Sequence, residues 1–147
     1  MNRYTTTHPE TGQTAKRGSQ NRTYTHAVWA QRPARLIAAR LERDVAYLTG
    51  LLAAYRDAAQ GKGRRYEDDQ RRATRFGREA TTPEAWTQYA DEVEASLAET
   101  RAKLDAGVAD GDWCCDGWCG RPDLADKKAA GLRRKGLNVV ITEAVAA

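Results

Sequence analysis

Hydrophobic and polar positions follow a strand-like pattern at the start of the chain and a helical one through its middle. Arg3-Tyr4-Thr5-Thr6-Thr7-His8 is rich in Thr and Tyr, Pro9-Glu10-Thr11-Gly12 supplies a turn, and Gln13–Arg17 can pair back on the first run. Gly18-Ser19-Gln20-Asn21 breaks that pattern. Thr23–Ala30 is the clearest strand, with Tyr24, His26 and Val28 on one face and Thr25, Ala27 and Trp29 on the other. Pro33 opens a long helix, because its missing N–H would be unpaired in a first turn anyway. Ile37, Leu41, Val45, Leu48, Leu52 and Tyr55 form its apolar stripe, and Gly61 and Gly63 end it. A second helix begins at Thr82-Pro83-Glu84, where a hydroxyl cap, an early Pro and an early acid coincide. Its stripe is Trp86, Ala90, Val93, Leu97, Thr100 and Leu104, and Gly107 stops it. Two stripes of matching period predict an antiparallel helical hairpin. Lys62–Arg78, between them, reads either as a mobile loop or as a third short helix. Pro122–Lys135 reads as a short helix closed by Gly136, and Leu137–Thr142 as a strand.

These elements predict an α+β fold. One small sheet gathers the N-terminal β segment, the Tyr24–Ala30 strand and the Leu137–Thr142 strand, and the short helix covers one face of it. The long helical hairpin is an insertion. The chain reads as a single domain, 1–147, with residues 1–32 and 113–147 as an α/β base and 33–112 as the inserted hairpin.

Composition tightens this picture. The chain has 147 residues, 41% of them hydrophobic, with one Phe and one Met, so the core is thin and built from Leu, Val, Ala, Tyr and Trp. The net charge of +4 is unevenly spread. Residues 1–80 are basic, residues 81–119 hold nine acids against two bases, and the last segment is basic again. Such a layout favours an acidic partner on one face, or helix faces that pair with each other. No apolar run approaches the ~20 residues of a membrane span, and no secretory leader is visible. Three cysteines, an odd number, argue against a disulfide framework. The bacterial cytoplasm is the expected compartment, and no membrane partner is expected.

The segment Asp112-Trp113-Cys114-Cys115-Asp116-Gly117-Trp118-Cys119-Gly120 contains every cysteine and two tryptophans of the chain. It reads as a buried corner of the core or as a small metal site. Cys114, Cys115 and Cys119 with His26 or His8 would supply the S and N ligands that zinc takes, but adjacent and C-x₃-C spacings are a poor template for a tetrahedral site. Free cysteine is also among the most buried residue types. The expectation is therefore no metal and no cofactor, with zinc as the alternative. A Cys119/His26 nucleophile–base pair is the one enzymatic arrangement the residues offer, and no oxyanion-forming glycine motif accompanies it. Gly61-Lys62-Gly63 lacks the G-x₄-G-K-[ST] spacing of a phosphate loop.

The basic segments carry the leading site. Arg64, Arg65, Arg71, Arg72, Arg75 and Arg78, with Tyr66 and Phe76, combine phosphate-seeking charge with stacking groups. Lys16, Arg17 and Arg22 form a second basic patch at the N-terminal turns. The competing reading is a solubilising tip whose charge Glu67, Asp68 and Asp69 partly neutralise.

Thr11-Gly12, Lys16-Arg17, Ser19, Arg22 and Tyr24-Thr25-His26-Ala27-Val28 near the start, and Gly120-Arg121-Pro122-Asp123-Leu124-Ala125-Asp126-Lys127 near the end, resemble a group of small proteins encoded by phages of actinobacteria. The resemblance covers about 45 residues at the two ends and treats the central hairpin as an insertion of variable length. It implies a phage origin and no assigned activity. The expected function is a non-enzymatic accessory protein that binds a host macromolecule, with nucleic acid favoured through the arginine-rich tip. The alternatives are a protein–protein interaction module that uses the hairpin to inhibit a host factor or to form a homodimer, and a small Cys/His zinc-binding protein.

Overall fold

Strand pairing brings the two ends of the chain together. In the computed structural model, which describes residues 1–147, the order is β1 (Asn2–Thr7), β2 (Thr14–Ser19), β3 (His26–Gln31), α1 (Ala34–Ala59), α2 (Arg64–Phe76), α3 (Pro83–Asp105), β4 (Cys114–Cys119), α4 (Pro122–Arg134), β5 (Asn138–Glu143) and β6 (Val145–Ala146). This is an α+β fold with four helices and two three-stranded antiparallel sheets, ordered β2-β1-β6 and β4-β3-β5. It divides into two compact units, residues 1–37 with 109–147, and residues 38–108.

The single sheet expected from the sequence is in fact two. The β1–β2 hairpin forms its own sheet, which β6 completes through Tyr4↔Ala146 and Thr5↔Val145. The physical reason lies in β3. Ala27, Val28 and Trp29 are all fully buried, so β3 is covered on both faces and does not alternate in and out. On one face, Val28, Ile141, Val139 and Cys119 pack against Ala125, Ala129 and Leu132 of α4. On the other face, Trp29 meets His8 edge-on at 5.5 Å, and Thr142 Oγ1 lies 2.6 Å from Thr6 Oγ1 of β1. The hairpin sheet thus stacks on the central sheet, as paired sheets do across a shared interior.

The Trp/Cys segment is neither a loop nor a corner. It is β4, an edge strand beside β3, with Val28↔Gly117 followed by Trp29↔Cys115. Asp116 is the extra residue of a β-bulge at that step. The Lys128 side chain crosses closely above Gly117 to pair with Asp116 at 3.1 Å, so a Cβ there would require Lys128 to move aside. Two boundaries also differ from expectation. β2 runs on through Gly18 to Ser19, and β3 starts at His26, leaving Tyr24 outside the strand but buried against Tyr4 at 5.3 Å.

In the helical unit, the expected stripes meet. Leu52, Ala90 and Leu97 form the buried core, with Val45, Leu48, Tyr55 and Val93 packed around them. Thr82 caps α3 by accepting from Ala85 N at 3.1 Å, with Pro83 in the first turn. Lys62–Arg78 is resolved in favour of a helix: α2 is thirteen residues long, and only Ala73 is buried.

Candidate nucleic-acid interface

The sequence of α2 sets the geometry of the site. At 100° per residue, Arg64, Asp68, Arg71 and Arg75 fall in one row, and Arg65, Asp69, Arg72 and Phe76 in the next. Tyr66 and Ala73 fall on the opposite side, where Ala73 is buried and Tyr66 packs over Gly61. The arginines therefore share one broad face. Tyr66, expected with the arginines as a stacking group, is half-buried beside Gly61 and lies off that face.

The end of α2 extends that face. Gly77 adopts φ +60°, ψ +35°, a left-handed conformation that costs glycine least. Gly77 N donates to Thr74 O and Arg78 N donates to Ala73 O at 3.0 Å, the two bonds of a Schellman motif. The reversal delivers Arg78 beside Arg72. The following loop is held by Asp69, which accepts from Thr81 N at 2.7 Å and from Thr81 Oγ1 at 3.0 Å.

Two hollows adjoin along this face. The inner one has a volume of about 460 Å³ and is walled by Ala54 of α1, by Arg64, Arg65, Asp68, Asp69 and Arg72 of α2, by Arg78, and by Trp86 of α3. The outer one, about 760 Å³, is lined by Asp68, Arg71, Arg72, Arg75, Phe76 and Arg78. Asp68, Arg72 and Arg78 belong to both.

The charges are only partly neutralised. Asp68 pairs with both Arg71 and Arg64, and these exposed pairs are worth ~0–1 kcal/mol each. Asp69 is engaged by Thr81. Arg65 sits 4.9 Å from the centroid of the Tyr55 ring, and Arg75 sits 5.5 Å from that of Phe76. Arg72 and Arg78 have no carboxylate partner. Phe76 is 67% exposed, an unusual position for the only Phe of the chain.

Trp86 was legible only as a core residue of the α3 stripe. It is 6% exposed, clusters with Tyr55 and Tyr89, and its Nε1–H has no acceptor. A buried donor left unpaired costs about 1–3 kcal/mol. A buried indole normally finds a partner for its N–H.

The other sequence candidates are distributed differently. Lys16 and Arg17 are exposed on β2, and Arg22 lies in the following turn, where its N–H donates to Ser19 Oγ. All three belong to the β-rich unit, whereas the α2 arginines belong to the helical unit.

The cysteines do not converge. Cys114 is exposed, Cys115 pairs with Trp29 and faces the hairpin sheet, and Cys119 pairs with His26 and is buried against α4. No group of three or more His, Cys, Asp or Glu side chains stands close enough to hold a metal ion. Burial pushes the Cys115 thiol above its ordinary pKa, which disfavours the thiolate that metals and electrophiles need. His26 is a cross-strand neighbour of Cys119, but its Nδ1 is 2.7 Å from Thr25 Oγ1 and it makes no hydrogen bond to the thiol. His8 is fully buried between Trp29 and Trp113. Its Nδ1 accepts from Glu10 N and Thr11 N at 3.3 Å, so it holds the turn.

Comparison with protein-family models, with curated proteins and with solved structures gives no match. The reading of this site therefore rests on its own geometry. No helix is long and apolar enough to cross a membrane.

Proposed function

We propose that the chain acts by binding, and that its ligand is nucleic acid held along the arginine face of α2. The observation that carries this reading is the pair of adjoining hollows in which Arg72 and Arg78 lack any carboxylate partner, with Phe76 exposed at one end. Guanidinium groups match phosphate oxygens in a planar, two-pronged fashion. An exposed aromatic ring beside them offers a face on which an unpaired base can stack. This combination favours single strands over duplex. In line with the sequence resemblance, the protein would be a phage accessory factor acting in the host cytoplasm, without catalysis of its own.

The test is equilibrium binding of a fluorescent single-stranded oligonucleotide across a range of salt concentrations. Affinity should fall steeply with salt, and the double variant Arg72→Gln/Arg75→Gln should flatten the log–log slope by roughly 0.7 for each phosphate it no longer neutralises. Binding that is absent, or indifferent to salt, removes the proposal.

A further inference from the structure

The inner hollow differs from the outer one in what encloses it and in what its polar groups can do. Three helices wall it, through Ala54, the α2 side chains and Trp86, whereas α2 and the Arg78 turn alone line the outer hollow. Its two carboxylates are already occupied, Asp68 by Arg64 and Arg71, and Asp69 by Thr81. The guanidiniums left over, those of Arg65, Arg72 and Arg78, have no carboxylate partner and are all donors. A site that offers only donors and excess positive charge selects a ligand that offers only acceptors and negative charge.

We propose that the inner hollow is a phosphomonoester site, which takes the terminal phosphate of a nucleic-acid strand or of a free nucleotide. A phosphomonoester carries close to two negative charges near neutral pH and presents three terminal oxygens. An internal phosphodiester carries one charge and presents two. Forked guanidiniums converging on one hollow therefore match the terminal group better. The volume, about 460 Å³, lies within the range of small-ligand pockets and leaves room for the attached nucleoside against Ala54 and Trp86. Because Arg72 and Arg78 line both hollows, a strand lying along the outer one would end in the inner one. Only the strand as source rests on the nucleic-acid reading; the phosphomonoester chemistry stands apart from it.

The experiment compares one oligothymidylate in three forms, with a 5′-phosphate, with a 3′-phosphate and with hydroxyls at both ends, at fixed salt, and adds AMP as a separate ligand and competitor. One phosphorylated form should bind about tenfold tighter than the hydroxyl form, the scale of one or two charge-assisted hydrogen bonds. Arg78→Gln should abolish that preference, and Arg65→Gln, in the inner hollow only, should reduce it. Arg75→Gln, in the outer hollow only, should weaken all three forms alike. Circular dichroism of each variant establishes that it is folded. Equal binding of the three forms overturns the phosphomonoester site and leaves the nucleic-acid reading intact. Arg78-dependent binding of AMP with no binding of any strand supports the site and overturns the nucleic-acid reading. Binding of none of these ligands overturns both.

Discussion

At the residue scale, the polar groups buried between the two sheets do more to specify the β-rich unit than its charges do. Trp29 Nε1 donates to Thr142 Oγ1 at 2.9 Å, and the Thr142 hydroxyl is 2.6 Å from that of Thr6. Thr142→Val keeps the shape and removes the hydroxyl, so the fully buried indole N–H loses its acceptor. That should cost about 1–3 kcal/mol, read as a lower urea midpoint in tryptophan fluorescence; a shift worth less than about 0.5 kcal/mol would show these bonds to be incidental. The cysteines make a second residue-level prediction. Thiolate is the reacting form, so alkylation at neutral pH should label Cys114 first, then Cys115, whose thiol burial pushes up, and Cys119 only on unfolding. Mass spectrometry of a timed iodoacetamide reaction gives the order. Early labelling of Cys119 would mean that its pairing with His26 is open to solvent and would revive a chemical role for that pair. Neither prediction could be made from sequence, because which face each of these side chains occupies depends on a bulge at Asp116 and on a second sheet.

At the scale of elements, local signals were legible and partner choice was not. The stripes of α1 and α3, and the Thr82 cap, depend on residues within a few positions of each other, and the structure has them as expected. α2 was harder because it has almost no apolar stripe, and Ala73 is its one buried side chain. The arginine face was visible as composition, but its cavity was not. Trp86, Asp69 and Ala54 join it from three helices, and no spacing rule links them. The split of the expected single sheet into two was invisible for the same reason, since any of these strands could pair with several others. The Gly77 turn connects element to site. Gly77→Ala must hold an alanine at φ +60°, at a cost of about 1 kcal/mol. It should loosen the Schellman reversal that positions Arg78, lowering oligonucleotide affinity severalfold while α2 remains helical by circular dichroism. Unchanged affinity would mean that Arg78 finds its place without the turn.

At the scale of the whole molecule, the chain holds two compact units with separate cores. One packs Val28, Cys119, Ala125 and Ala129; the other packs Leu52, Ala90 and Leu97. Both chain ends lie in the first unit, and the arginine face lies wholly in the second. The core at α4 and the proposed binding face therefore lie in different parts of the sequence, and a core perturbation can separate them. Ala129 is fully buried where α4 meets the central sheet. Ala129→Leu inserts volume that this packed layer cannot absorb, at a cost of about 1–3 kcal/mol. Hydrogen exchange should then quicken across residues 1–37 and 109–147, while amides of α2 and α3 keep their protection, because local opening follows the packing of each cooperative unit. Oligonucleotide affinity and its salt slope should stay at the wild-type values. Equal loss of protection in 38–108 would show that the long helix α1, which runs through the boundary at Ile37, couples the two cores into one cooperative transition; binding would then weaken in step with stability.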